Sequence, residues 1–174
     1  MDKTITYAIT VVLCILFQMG LAPAIQIMGA RPDFLLIPVL FISMRSGAGA
    51  GGASGFLLGL LYDFTGDTVV GAMAFTYCLV ALIVGMLSHA METTPFMAAV
   101  LGLIFGFVSE PLYGLATVLG SVASNGAFET MLAYSVPSGI YTAVICAVAL
   151  LTMSLVTAVD SPSMGGGLGF GGRR

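Results

Sequence analysis

Three carboxylates stand among long apolar runs in this chain: Asp33, Asp63 and Glu110. A carboxylate beside hydrocarbon is costly, which makes each a candidate for a proton relay, an ion site or a partner contact. Asp63 extends a series of glycines at Gly47, Gly51, Gly55 and Gly59, every fourth residue. Residues four apart share one helix face, so the segment presents a bare backbone stripe that ends in a carboxylate. A second stripe, Gly102 and Gly106, leads to Glu110, with Gly114 beyond. "GFLLGLLYD" (55–63) and "GLIFGFVSE" (102–110) share the pattern Gly-x-x-x-Gly-x-x-x-acid, and nine positions are too few to establish a duplicated hairpin. In water each glycine in a helix costs ~1 kcal/mol relative to alanine. In a membrane the same stripe lets a second helix approach closely. Asp33 follows Pro32 at an expected helix start, where its charge complements the helix dipole.

Other chemistry has little to stand on. His89 is the only histidine, and spacing places no nucleophile beside it. Cys14, Cys78 and Cys146 all fall in apolar stretches without metal-ligand spacing and read as small buried hydrophobes. Asn125 is the only Asn, and Gln18 and Gln26 are the only Gln. Tyr62, Tyr77, Tyr113, Tyr134 and Tyr141 could add hydrogen bonds, but tyrosine at membrane interfaces is expected anyway. No enzyme, metal or cofactor is expected. Five basic residues form no patch, which argues against nucleic-acid binding.

The elements that position these groups follow from composition. The 174 residues are 59% hydrophobic and 7% charged, with mean hydropathy +1.10. Soluble domains run near ~25% charged, so this chain cannot cover a soluble surface. Its apolar stretches are long and do not alternate, which predicts an all-α integral membrane protein. Charges mark about six spans, or five if the second is re-entrant: within 5–28, 34–44, 49–62, 69–88, 95 to 110 or a turn beyond, and within 132–158. Ala22-Pro23-Ala24 loosely resembles a signal-peptidase site, but the first apolar stretch is too long for a signal peptide and reads as a retained span. Eleven residues in span two reach about half of a ~30 Å hydrocarbon core. Either that helix borrows flanking residues while Arg45 snorkels, or it is a half-helix packed against protein. Pro111 could end span five and bring Glu110 to the surface; a helix that continued would bury Glu110 and require a proton or a partner. Residues 1–159 form one transmembrane domain. Residues 160–174, with six glycines in the last ten, form a flexible cytoplasmic tail. Six spans with both termini inside put Lys3, Arg45, Arg173 and Arg174 on the cytoplasmic side and only Arg31 outside, in keeping with the positive-inside rule.

"RPDFLLIPVLFISMR" followed by "GFLLGLLYDFTGDTVVGAMAF" (within 31–75) resembles the MreD family, the membrane subunit of the bacterial rod-shape system. The matching residues are Arg31, Pro32, Asp33, Gly55, Phe56, Gly59, Asp63, Thr65, Gly66, Gly71 and Ala74. Gly66 follows Asp63 by three residues, where the family often has four. The resemblance implies a non-enzymatic scaffold in the bacterial cytoplasmic membrane. Its partners would be the bitopic protein MreC and, with it, MreB and the glycosyltransferase and transpeptidase that extend the peptidoglycan wall. It also implies a bundle similar to the substrate-binding subunits of energy-coupling-factor vitamin transporters. The alternative functions are such a vitamin-binding subunit, or a small secondary transporter with Asp63 and Glu110 as proton sites. The expected helix-packing or partner-interface residues are Pro32, Asp33, Gly51, Gly55, Gly59, Asp63, Gly71, Gly102, Gly106 and Glu110.

Overall fold

A computed structural model describes residues 3–26, 30–65, 69–91, 94–120 and 127–159. The expected tail 160–174 and Gly66 of the turn lie outside these residues. Every regular element among the described residues is helical. The first is Lys3–Leu16, continued by a π-helical stretch, Phe17–Leu21, and a short helix, Ala22–Ala24; together these are α1. Then come α2 (Leu36–Thr65), α3 (Ala72–Ala90), α4 (Pro95–Gly120) and α5 (Ala127–Val159). By length and composition α2, α3, α4 and the 133–156 part of α5 could each cross a membrane, while α1 holds a shorter apolar stretch, Ile9–Ala24. Leu57, Met86, Phe96 and Val148 are exposed on the outside of the bundle, as suits a protein whose solvent there is lipid.

One glycine divides α2. Gly47 has φ 82° and ψ 178°, a backbone that a side chain rarely tolerates. Residues 43 and 51 would lie about 12 Å apart along a straight helix. Here a Cβ placed on Gly51 would fall 2.8 Å from the Ser43 Cα, so the chain folds back on itself at Gly47. The result is a short limb, 36–46, antiparallel to a longer one, 48–65. Leu36, Ile37, Pro38, Val39, Leu40 and Phe41 are all buried. A helix apolar on every side belongs in a core, and the short limb is a half-length helix enclosed by protein over 36–41. Arg45, exposed near the fold-back, lies with its guanidinium carbon 5.4 Å from the centre of the Phe41 ring.

The remaining helices form two close pairs, α2 with α3 and α4 with α5; contacts between the pairs are much sparser. Gly85 of α3 meets the Ala48 backbone, so the α2–α3 approach is tight from the fold-back onward. In the second pair the helix continues through Pro111, the second of the two outcomes the sequence allowed, and α4 runs on to Gly120. Pro111 deprives the Phe107 carbonyl of its helical donor. That oxygen faces Gly139 of α5, where a Cβ would fall 2.9 Å from it. A membrane helix tolerates an internal proline when the neighbouring helix accommodates the freed group in this way.

Candidate functional site

The carboxylates mark two polar knots near one end of the bundle. Asp63 lies at the end of α2, about 24 Å along the helix from Gly47 at 1.5 Å per residue. It is 1% exposed. Its Oδ2 accepts from the Gly71 amide at 2.9 Å and the Ala74 amide at 3.1 Å, and its Oδ1 from the Met73 amide at 3.2 Å. These are donors of the first turn of α3, which no helical carbonyl can satisfy. The carboxylate therefore caps the next helix and complements its dipole. Gly71 holds the turn at φ 98°, a left-handed conformation that glycine adopts without strain.

The glycine stripe makes this cap possible. A Cβ on Gly59 would fall 2.6 Å from the Ala74 Cα, and one on Gly55 would fall 2.7 Å from the Tyr77 carbonyl oxygen. Gly51 instead faces Ser43 of the short limb. Gly55, Gly59, Asp63, Gly71 and Ala74 thus form one unit, in which bare backbone on α2 lets α3 come close enough for its amides to reach Asp63. Phe56 points away and is exposed.

In the second pair, a Cβ on Gly102 would fall 2.8 Å from Leu150 Cδ1 and one on Gly106 2.8 Å from the Ala143 Cα. Glu110 follows about 22 Å from Pro95, with about 15 Å of α4 still beyond it. It therefore lies within a helix and not at its end. It is partly buried and accepts a hydrogen bond from the Thr142 hydroxyl of α5 at a long 3.4 Å.

Thr142 links Glu110 to the turn at 31–34. The Asp33 amide donates to Thr142 Oγ1 at 3.1 Å. The Asp33 carboxylate accepts from the Leu35 amide at 3.1 Å, at the start of the short limb, and from the Tyr77 hydroxyl of α3. The Arg31 amide donates to Ser138 Oγ at 3.0 Å, and the Ser138 hydroxyl donates back to the Arg31 carbonyl at 3.2 Å. The Phe34 amide donates to Gln18 Oε1 of α1 at 2.7 Å. Pro32 and Asp33 are buried. Among the described residues no buried side-chain nitrogen or oxygen lacks a hydrogen-bond partner.

Ser138 and Thr142 were not singled out by the sequence, although two hydroxyls four apart in an apolar run define one polar face of α5. His89 lies against Gly47, at the far end of the short limb from Asp33, so the lone imidazole and these carboxylates do not meet. No group of three or more His, Cys, Asp or Glu among the described residues could hold a metal ion. The arrangement caps helices and ties them together.

The family described as "rod shape-determining protein MreD" matches residues 2–158. No curated protein and no solved structure matches the chain. The capped glycine unit and the Arg-Pro-Asp turn, with Pro32 and Asp33 buried, are built by the very residues that carry the resemblance, and the match extends over nearly the whole chain; this multi-pass membrane protein belongs to the MreD family of rod shape-determining proteins.

Proposed function

We propose that the chain is a non-enzymatic scaffold of the lateral-wall machinery in the bacterial cytoplasmic membrane. It binds an MreC-like bitopic protein and through it connects an MreB-like filament to the peptidoglycan glycosyltransferase and transpeptidase. The observation that carries this reading is the family match over residues 2–158. The packing around Asp63 supports it, since that carboxylate is occupied by three backbone amides and is poorly placed to cycle protons. The chain crosses the membrane six times with both termini cytoplasmic, the short limb 36–46 counting as one pass; the bundle is of the kind found in energy-coupling-factor substrate-binding subunits. Residues 1–159 are the transmembrane domain and 160–174 its tail. Pro32, Asp33, Gly51, Gly55, Gly59, Asp63, Gly71, Gly102, Gly106 and Glu110 serve partner binding by setting the shape of the bundle, since most of them are turned onto the chain's own helices.

Affinity purification from native membranes with mass spectrometry tests the function. Wall-synthesis partners are the expected result; an ATPase module would point to a vitamin transporter instead. For the topology, a reporter active only outside the membrane should be silent after Arg174 and active when inserted near Asp67; the reverse pattern would overturn it.

A further inference from the structure

The two helix pairs differ in kind from the seam between them. Inside each pair, glycines let backbone meet backbone: Gly59 on Ala74 in one, Gly106 on Ala143 in the other. Such an interface is apolar and close-packed, and has no ready alternative arrangement. Between the pairs close backbone approach is sparser, and the polar turn at 31–34 hydrogen-bonds to both. Asp33 holds the first pair through the Tyr77 hydroxyl and the second through Thr142 Oγ1, while Arg31 adds the reciprocal bonds to Ser138. We propose that the 31–34 turn is a latch: it holds two rigid helix pairs together, and the pairs move apart as units when its hydrogen bonds are released.

The physical basis is the contrast between the two kinds of contact. Separating a glycine-faced pair would forfeit continuous van der Waals packing along two or more helical turns. Opening the seam parts the apolar side chains that the two pairs bring to one core, among them Leu40 and Val84 with Leu101 and Leu150, whose contacts lipid chains can take over; it also exchanges a few hydrogen bonds, each of which water or a partner's polar group can replace. Asp33, Tyr77 and Thr142 are almost completely shielded in the closed arrangement, so these bonds persist until something competes for them. A partner helix seated on one pair would thereby be sensed by the other, as expected where two packed units share a discrete contact.

Spin labels on the full-length chain test this, in a background with Cys14, Cys78 and Cys146 replaced by alanine that elutes as the parent does. A label pair at Phe75 of α3 and Ile140 of α5, both exposed, reads the distance between pairs. Pairs at Leu57 with Phe75, and at Leu103 with Ile140, read the distance within each. The latch variants are Tyr77→Phe and Thr142→Val, singly and together; both keep side-chain shape and remove a hydroxyl. In lipid nanodiscs the double variant should lengthen the Phe75–Ile140 mean by about 2 Å or more, the scale of helix shifts in switching proteins, and leave both within-pair distances unchanged. Thr142→Ser should restore the parent distance in the Thr142→Val series. An unchanged between-pair distance would overturn the proposal. So would equal broadening of all three distances, or failure of the double variant to fold, because either result would mean the pairs are not independent units.

Discussion

Asp63 and Glu110 close similar glycine stripes, yet the protein uses them differently. Asp63 ends its helix, and both of its oxygens are engaged by three amides at the start of α3. Glu110 sits inside a helix that continues to Gly120, and accepts one long bond from the hydroxyl of Thr142. The first is a cap, whose acceptors match donors that the fold must satisfy somehow. The second is the outer member of a side-chain network. What separates them is the chain beyond: after Asp63 the path turns back at once through Gly71, whereas after Glu110 the helix goes on. An identical nine-residue pattern therefore does not define an identical role, and substitutions at the two sites should have unequal effects.

The largest effect is expected at Asp63. Asp63→Leu leaves amides of α3 without an acceptor, and a buried unsatisfied group costs about 1–3 kcal/mol, so several together should abolish most folded protein. Asp63→Asn keeps one acceptor oxygen and should retain a partial yield, measured by size exclusion of a fluorescent fusion. Parent-like yields for Asp63→Leu would mean that the cap contributes nothing and that Asp63 behaves as a solvated helix end.

Gly55→Leu and Gly59→Leu come next. Overpacking typically costs about 1–3 kcal/mol, and the upper end is expected at Gly59, where the obstruction is α3 backbone that cannot turn aside. Gly102→Leu should be milder than Gly59→Leu, because the nearest atom it meets is the end of the Leu150 side chain. Thermal melts of the purified variants would rank them; an inverted order would remove the distinction between the two stripes.

At Gly71 the cost is conformational. Gly71→Ala has open space around its new methyl, so only its left-handed backbone opposes the change, by about 1–2 kcal/mol. A melting temperature equal to the parent's would show that the turn can relax. The smallest effect belongs to Glu110→Gln, which keeps the acceptor for Thr142 and replaces a partly buried carboxyl group by an amide of nearly the same shape. Stability should change by no more than about 1 kcal/mol, the worth of one hydrogen bond. A loss as large as that of Asp63→Leu would mean that the second stripe ends in a cap as demanding as the first.

Much of this protein follows from local pattern. Sparse charge and long apolar runs dictate a helical membrane protein, because lipid leaves backbone groups no partner except one another. The four-residue glycine spacing announces close helix approach, and the order of Arg-Pro-Asp, the stripe and the Asp63 turn carries the family. Eleven uncharged residues in span two already allowed a half-length helix. Other features arise only from tertiary contact. Continuation through Pro111 rests on Gly139 of another helix, so the proline alone could not reveal it. The chain reversal rests on the backbone of Gly47, and nothing in the series of glycines four apart marks which one will turn. The joining of Asp33 to Tyr77 and Thr142 brings together residues 44 and 109 positions apart. Sequence determines how costly each polar group is in the membrane; only the packed bundle decides which partner satisfies it, because the donors and acceptors that come within reach are set by how all the helices stack.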